Sequence, residues 1–204
     1  MSLELGRRAV HATGAGLPAL WLLGAPWWAV QTILAVALAV ALVLEYLRLV
    51  LGLDHWVYQK LTRPYEDDSV AGYALYMVSM AAVGFVFAPQ IAAPGMLMLA
   101  LGDPFSGILG SGEVGGWKDP DVLAATFGFC FVLAAPFTLW TAGMAVGALA
   151  AAVGALGATV ADGATPVVAG YVVDDNLTIP PASCLGIALV YLLTGVPVEL
   201  ALPV

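Results

Sequence analysis

Acidic residues and one lysine flank a glycine-rich stretch, residues 101–121, that lies between two long apolar runs. Gly102-Asp103-Pro104 follow the first run directly, five glycines come next, and Lys118 and Asp121 precede the second run. Glycine lets backbone N–H groups approach an anion closely, lysine supplies a positive charge for phosphate, and carboxylates hold hard divalent cations. These residue types predict part of a nucleotide phosphate site.

A second group of oxygen-bearing side chains is Asp174-Asp175-Asn176, which precedes Leu-Thr-Ile-Pro. Two adjacent carboxylates and an amide crowd their oxygen atoms, a pattern that suits Mg²⁺ bound partly through substrate phosphates. A structural alternative is a solvated turn at the start of a helix that contains Pro180 and Pro181. The spacing alone favours neither interpretation.

The composition places these residues in a membrane protein. Of the 204 residues, 62% are hydrophobic and 10% are charged, with a mean hydropathy of +0.97, whereas a soluble domain is about 25% charged. A membrane-spanning helix needs about 20 apolar residues. The apolar runs therefore predict an all-α polytopic helix bundle of about seven transmembrane helices, which forms one domain over residues 1–204.

The predicted spans alternate with polar stretches at 48–68, 102–121 and 162–180. The spans cover residues 9–23, 27–47, 70–88, a run that ends at Leu101, two spans within 122–161, and 182–202. Breaks are expected at 89–94 and near 136–143. Gly143 and Gly147 form a GxxxG motif, which favours close helix packing.

Alternating spans place every Lys and Arg, and every Asp and Glu except Glu199, on one side of the bilayer. The positive-inside rule makes this side, and the N-terminus with it, cytoplasmic. Burying one such charge in mid-membrane costs at least ~2.5–3.5 kcal/mol, so the pattern predicts one polar cytoplasmic face in the cell membrane. The formal net charge of −8 argues against a nucleic-acid partner, since phosphate neutralisation needs clustered Lys and Arg.

Single residues of this face also have structural explanations. Asp103, Asp121 and Asp162 can each be a helix N-cap or an interfacial turn residue, and a lone interfacial histidine such as His11 is commonly structural. Function is favoured because three acidic stretches, each marked by Gly or Pro, share one membrane face. Chemistry is therefore expected at the cytoplasmic ends of the spans.

Two motifs resemble those of the polyprenol kinases, a family that includes dolichol kinase, phytol kinase and the CTP-dependent diacylglycerol kinases. The GDxxAxxxG motif and its following Lys and Glu are matched by Gly102, Asp103, Ser106, Gly110, Lys118 and Asp121. The second motif, an acidic residue followed by DDNLTxP, is matched by Asp162 and by the stretch that begins at Asp174. Ser106 stands where alanine is usual, and Asp121 and Asp162 stand where glutamate is usual.

The resemblance implies phosphoryl transfer from a nucleoside triphosphate, typically CTP, to the hydroxyl of a membrane isoprenoid or lipid alcohol, such as a polyprenol or dolichol. It implies that Asp103, Asp174 and Asp175 bind the Mg²⁺ of the triphosphate. It also implies that Lys118 contacts phosphate oxygens and that Asp103 or Glu45 accepts the hydroxyl proton. The further nucleotide-binding positions that it implies are Gly102, Ser106, Gly110, Asp121, Asp162 and Asn176.

A weaker resemblance extends to other polar residues of the same face. These residues are Arg7, Arg8, His11, Glu45, Arg48, Arg63 and Glu66. Arg48 and Arg63 can contact phosphate, or they can pair with Glu45 and Glu66. The residue pattern alone leaves both roles open.

Two other classes of membrane protein fit parts of this pattern. A lipid cytidylyltransferase would use the same acidic face but would need more basic residues for the phosphate of its acceptor, and the chain has six Lys and Arg. An ion-coupled transporter would place ionisable residues near the membrane midplane, whereas the charges here are expected at one edge. Both alternatives are therefore less favoured than a lipid kinase.

Overall fold

The computed structural model describes residues 3–56, 58, 62–63, 66–110, 116–164, 166–168 and 171–201. Most of them lie in helices, as the composition predicts. The helices are α1 (Leu3–Thr13), α2 (Gly16–Leu22), α3 (Trp27–Leu49), α4 (Gly72–Val86), α5 (Pro89–Leu97), α6 (Asp103–Leu109), α7 (Pro120–Gly163) and α8 (Asp175–Thr194). A short antiparallel ribbon, β1 (Val167–Val168) with β2 (Tyr171–Val172), lies between α7 and α8.

Among the described residues, four helical segments are long and apolar enough to cross a membrane, and α4 is a shorter apolar helix. The four segments are Trp27–Leu49, Pro89–Leu109, Pro120–Gly163 and Asp175–Thr194. Alanines such as Ala134, Ala151 and Ala155 are fully buried where the helices meet, while large apolar side chains such as Leu192 face outward. Small residues at helix contacts and apolar residues outside are typical of helices packed in lipid.

The 44-residue helix α7 is a hairpin. Gly143 has φ 74° and ψ −179°, a backbone conformation that essentially only glycine adopts. The chain reverses there, so that a Cβ on Gly147 would lie 2.5 Å from the carbonyl oxygen of Thr138. At the open end, Lys118 donates its backbone N–H to the carbonyl oxygen of Gly163 at 2.9 Å. The predicted break between two apolar segments is confirmed, and each half has about the 20 residues of a span.

Replacing Gly147 by alanine is expected to lower the thermal unfolding midpoint of the detergent-solubilised protein. The new methyl group would press on the backbone of the other half of the hairpin, and overpacking of this kind costs about 1–3 kcal/mol. Gly128 is a matched control in the same helix, because a Cβ there would meet nothing within 4 Å. If Gly147→Ala unfolds at the same temperature as Gly128→Ala, the two halves do not pack as described.

A broken helix, Pro89–Leu109, replaces the predicted span before Leu101 and the start of the predicted loop. Its first part, α5, begins where a break was expected and contains Pro94 in its interior. A π-helical turn, Met98–Gly102, leads directly into α6. The prediction that a glycine-rich loop begins after Leu101 was therefore wrong for its first residues, which are helical.

The predicted first and last spans have different limits in the structure. The first, residues 9–23, is divided into two short helices, because α1 ends at Thr13 and α2 begins at Gly16. Gly14 in the intervening turn packs so closely on Tyr76 that a side chain there would collide with it. Both helices are shorter than the length of about 20 residues that a membrane-spanning helix needs. The last span is α8 and begins before residue 182, at Asp175.

Candidate active site

Three carboxylates from three helices meet at one end of the bundle. Asp103 begins α6, Asp162 lies next to the last residue of α7, and Asp175 begins α8. One carboxylate oxygen from each lies within 4.8 Å of the others. Asp162 is buried, and Asp103 and Asp175 are half-buried. Carboxylates this close repel one another unless cations lie between them, and hard divalent cations prefer such oxygen ligands.

The π-helical turn before Asp103 sets the position of its carboxylate. The backbone N–H of Asp103 donates to the carbonyl oxygen of Met98, five residues earlier. The next residue, Pro104, has no N–H to donate, so a regular helix could not continue its hydrogen bonds here. A single π-helical turn absorbs this defect, and such turns often occur at functional sites.

Lys118 lies beside Asp162 and compensates part of the negative charge. Its Nζ is 2.8 Å from Oδ1 of Asp162 and donates to Oγ of Ser106 at 2.9 Å. Ser106 in turn donates to Oδ2 of Asp162 at 2.6 Å. The α7 hairpin creates this contact, because it brings the residues before its first half next to the end of its second half. Ser106 and Asp162, which were predicted to bind nucleotide, are thereby hydrogen-bonded to Lys118, which was predicted to contact phosphate.

Asp174 has a different environment from its neighbour Asp175. It is the N-cap of α8, and its Oδ1 accepts hydrogen bonds from the backbone N–H and the side-chain amide of Asn176, at 2.9 and 2.7 Å. Its Oδ2 lies 3.6 Å from Nη1 of Arg63. The predicted metal-binding set was Asp103, Asp174 and Asp175, but in the structure Asp162 takes the place of Asp174 in the carboxylate cluster.

His11 contacts the cluster from α1. Its Nδ1 is 3.3 Å from Oδ2 of Asp103, and its ring packs edge-on against Tyr76. Burial, followed by the nearby guanidinium of Arg63, lowers the pKa of His11 to about 4. The imidazole is therefore neutral at pH 7, and a neutral imidazole can donate one hydrogen bond to Asp103.

Glu45 and Arg48 of α3 form a buried ion pair that anchors the segment before α4. The distance between Arg48 Nη2 and Glu45 Oε2 is 2.8 Å. Glu45 also accepts hydrogen bonds from the backbone N–H of Ala71 and from the hydroxyl of Tyr73. The remaining donors of Arg48 bond to the carbonyl oxygens of Glu66, Asp67 and Ser69. Glu45 is thus fully engaged by protein donors, which favours Asp103 as the proton acceptor.

Glu66 connects this segment to Asp174. Its Oε2 accepts the backbone N–H of Arg63 at 2.8 Å, and its Oε1 lies 3.9 Å from the guanidinium of Arg63 and accepts the N–H of Gly72 at 3.3 Å. Burial raises the pKa of Glu66, and the negative charge of Asp174 adds to this rise, while the N–H of Arg63 opposes it. Arg63 therefore pairs with both carboxylates and holds the 66–72 segment against the start of α8.

Three predicted nucleotide-binding residues lie outside these contacts. Gly102 is buried where a Cβ would be 3.0 Å from the sulfur of Cys130, and a Cβ on Gly110 would be 3.1 Å from Val122. Both glycines therefore allow close packing on α7. Asp121 is exposed in the first turn of α7. Residues 111–115, which include two of the five glycines, Gly112 and Gly115, lie outside the described residues.

Sequence reasoning missed that Asp162 belongs with the proposed metal-binding residues. A signal was present in the sequence. The uncharged stretch from 122 to 161 has a glycine near its middle. Two spans of equal length within it must return the chain to the side of the membrane on which it started. Lys118 and Asp162, which flank this stretch, must therefore come close together.

Comparisons of this chain with protein-family models, with curated proteins and with solved structures gave no match. Within the described residues, the chemically distinctive feature is the carboxylate cluster with its lysine, which lies among apolar helical segments long enough to cross a membrane.

Proposed function

We propose that this protein is an integral membrane kinase that transfers a phosphoryl group from CTP to the hydroxyl of a membrane isoprenoid or lipid alcohol, as in the polyprenol kinases. Its partners are then the nucleoside triphosphate, the lipid alcohol and the bilayer. The observation that carries the proposal is the meeting of Asp103, Asp162 and Asp175 within 4.8 Å, beside Lys118. These residues come from the two motifs that resemble this family.

The location of the cluster suits such an acceptor. Asp162 and Asp175 lie at ends of helices that are long and apolar enough to cross a membrane, and Asp103 lies in the last part of a third such segment, Pro89–Leu109. A lipid alcohol has its chain in the bilayer and its hydroxyl at the interface, so a site that serves it must lie at such ends. With the charges on one side, the positive-inside rule makes this side and the N-terminus cytoplasmic. About seven spans remain the prediction for the whole chain.

The donor set fits Mg²⁺. Oxygens of Asp103, Asp162 and Asp175 would hold the ion. Mg²⁺ in proteins is usually coordinated by few carboxylates, and phosphates and water fill its other coordination positions. When bound, the ion would neutralise charge on the phosphate oxygens. Lys118 is close enough to Asp162 to serve the same phosphates, and Arg63 keeps Asp174 out of the cluster.

The reaction forms a bond between the acceptor oxygen and the terminal phosphorus of CTP. It breaks the bond between that phosphorus and the oxygen that leaves with CDP. Catalysis here requires positioning and charge neutralisation more than covalent chemistry. The hydroxyl proton passes to a carboxylate of the cluster, for which we assign Asp103. His11, 3.3 Å away, would hold that carboxylate in place through its neutral imidazole.

Incubation of the purified protein with Mg²⁺, CTP labelled in its terminal phosphate, and extracted or synthetic lipid alcohols is expected to give a labelled phospholipid product and CDP. The label should be absent when EDTA removes the metal. Geranylgeraniol, longer polyprenols and diacylglycerol should be compared, with ATP as a second donor. Thin-layer chromatography of the lipid phase identifies the acceptor.

Other products would change the assignment. CDP-lipid with release of pyrophosphate would identify a cytidylyltransferase. Solute flux into liposomes without nucleotide would identify a transporter. If no lipid alcohol is labelled from either CTP or ATP, the kinase proposal is rejected.

A further inference from the structure

Arg8 of α1 packs flat against α6, close to the carboxylate cluster. Three atoms of its guanidinium group, Nη2, Cζ and Nε, would lie 3.0, 3.1 and 3.1 Å from a Cβ at Gly107. Contacts this short are tighter than those that real Cβ atoms ordinarily make. A Cβ at position 107 would therefore force the guanidinium to shift by a few tenths of an ångström, so the glycine lets Arg8 lie directly on the helix.

The contact between α1 and α6 fixes how far Arg8 is from the cluster. His11 Nδ1 lies 3.3 Å from Oδ2 of Asp103, and Arg8 lies against Gly107. Arg8 and His11 are three residues apart on α1, while Asp103 and Gly107 are four apart on α6, so each pair shares one helix face. The two helices run in opposite directions, and Arg8 lies about 5–6 Å beyond Asp103 along α6.

Arg8 differs from the neighbouring cations in what it contacts. The other Lys and Arg that the structure describes already contact protein oxygens: Arg7 that of Thr62, Arg48 those of Glu45, Arg63 that of Asp174, and Lys118 that of Asp162. Within the described part of the chain, the guanidinium of Arg8 has no hydrogen bond or ion pair, although the residue is half-buried. A guanidinium in this state can bind an oxyanion through two parallel N–H groups.

We propose that Arg8 binds a phosphate of the nucleoside triphosphate, in a subsite with α1 and α6 as its walls. This inference rests on the proposed function. Phosphates held at Asp103, Asp162 and Asp175 would continue along α6 to the guanidinium, one helical turn away. Gly107 acts through Arg8, by letting the guanidinium lie on the helix backbone where the phosphate can reach its N–H groups.

Equilibrium dialysis with labelled CTP and Mg²⁺ tests this subsite without requiring turnover. Arg8→Ala and Arg8→Lys are each expected to weaken binding about tenfold or more, because hydrogen bonds to charged groups contribute about 1.5–3 kcal/mol and lysine lacks the two-pronged geometry. Gly107→Ala should weaken binding in the wild-type background. It should add nothing in the Arg8→Ala background, because its effect passes through the displaced guanidinium. Gly128→Ala is the control, since a Cβ there meets nothing within 4 Å.

The inference is overturned if Arg8→Ala binds CTP like the wild type, or if Gly107→Ala weakens binding equally with and without Arg8. Thermal midpoints near that of the wild type for Arg8→Lys exclude misfolding as the cause. Arg8 could instead bind lipid phosphate. In that case, Arg8→Ala would leave CTP binding intact and change activity only in vesicles that contain phosphatidylglycerol, and this result also overturns the inference. A wild-type protein that binds CTP but phosphorylates no lipid alcohol contradicts only the proposed function.

Discussion

Replacing Asp103 by asparagine is expected to reduce phosphoryl transfer about a thousandfold while leaving the helix bundle folded. Asparagine has nearly the same shape and can still accept a hydrogen bond from His11, whose Nδ1 is 3.3 Å from the carboxylate. It removes one negative charge from a site where three carboxylate oxygens lie within 4.8 Å of one another. The metal-bound triphosphate loses an anionic ligand, and the acceptor hydroxyl loses its proton acceptor.

A stability measurement separates this effect from misfolding. Without metal, Asp103→Asn should unfold at the same temperature as the wild type or higher, because the repulsion within the cluster is smaller. With Mg²⁺, the wild type should be stabilised by about 2.7 kcal/mol at a hundred times the dissociation constant, and the variant by much less. Asp68→Asn is the matched control, since Asp68 is exposed at the same end of the bundle. Equal stabilisation of Asp103→Asn and wild type by Mg²⁺ would show that Asp103 does not bind the ion.

Much of the site could be predicted because its charged side chains would cost free energy if they were buried inside the bilayer. Charged side chains in an apolar chain must gather at helix ends. Asp103, Lys118, Asp162 and Asp175 stand beside the longest uncharged runs of the sequence. In the structure these four residues lie together, although they are widely separated along the chain.

The local structure at Asp103 could not be predicted from the pattern Gly102-Asp103-Pro104. Proline usually ends a helix, and the residue before it is usually extended. Here the helix continues, because the Asp103 N–H reaches back to Met98 in a π-helical turn. Contacts with α7 stabilise this arrangement, including the close packing of Gly102 on Cys130. Such tertiary contacts are not encoded in the local spacing.

The exchange of Asp174 for Asp162 in the cluster has a similar cause. The adjacency of Asp174 and Asp175 in the sequence predicts that both bind the same ion. A helix start, however, gives its N-cap side chain a different direction from that of the following residue. Asp174 is held by Asn176 and Arg63, and Asp175 is left to face Asp103 and Asp162.

Replacing Lys118 by methionine is expected to destabilise the protein by about 3–5 kcal/mol in the absence of metal, because it leaves the carboxylate of Asp162 buried without its cation. The side chains of Lys118 and Asp162 are only 10% and 2% exposed, and their charged atoms are 2.8 Å apart. Ser106 would retain its hydrogen bond to Asp162 but carries no compensating charge. Thermal unfolding in EDTA measures the effect.

The double variant Lys118→Met/Asp162→Asn distinguishes a buried charge from a lost packing contact. When both charges are removed, Asp162 no longer leaves a buried negative charge without a cation. The double variant should therefore be more stable than Lys118→Met alone. Mg²⁺ should restore part of the stability of Lys118→Met, since a divalent cation can neutralise Asp162 together with Asp103 and Asp175. It should stabilise the double variant less, because one ligand is missing. If Lys118→Met in EDTA unfolds like the wild type, the ion pair that closes the α7 hairpin does not form, and the cluster must be balanced by another cation.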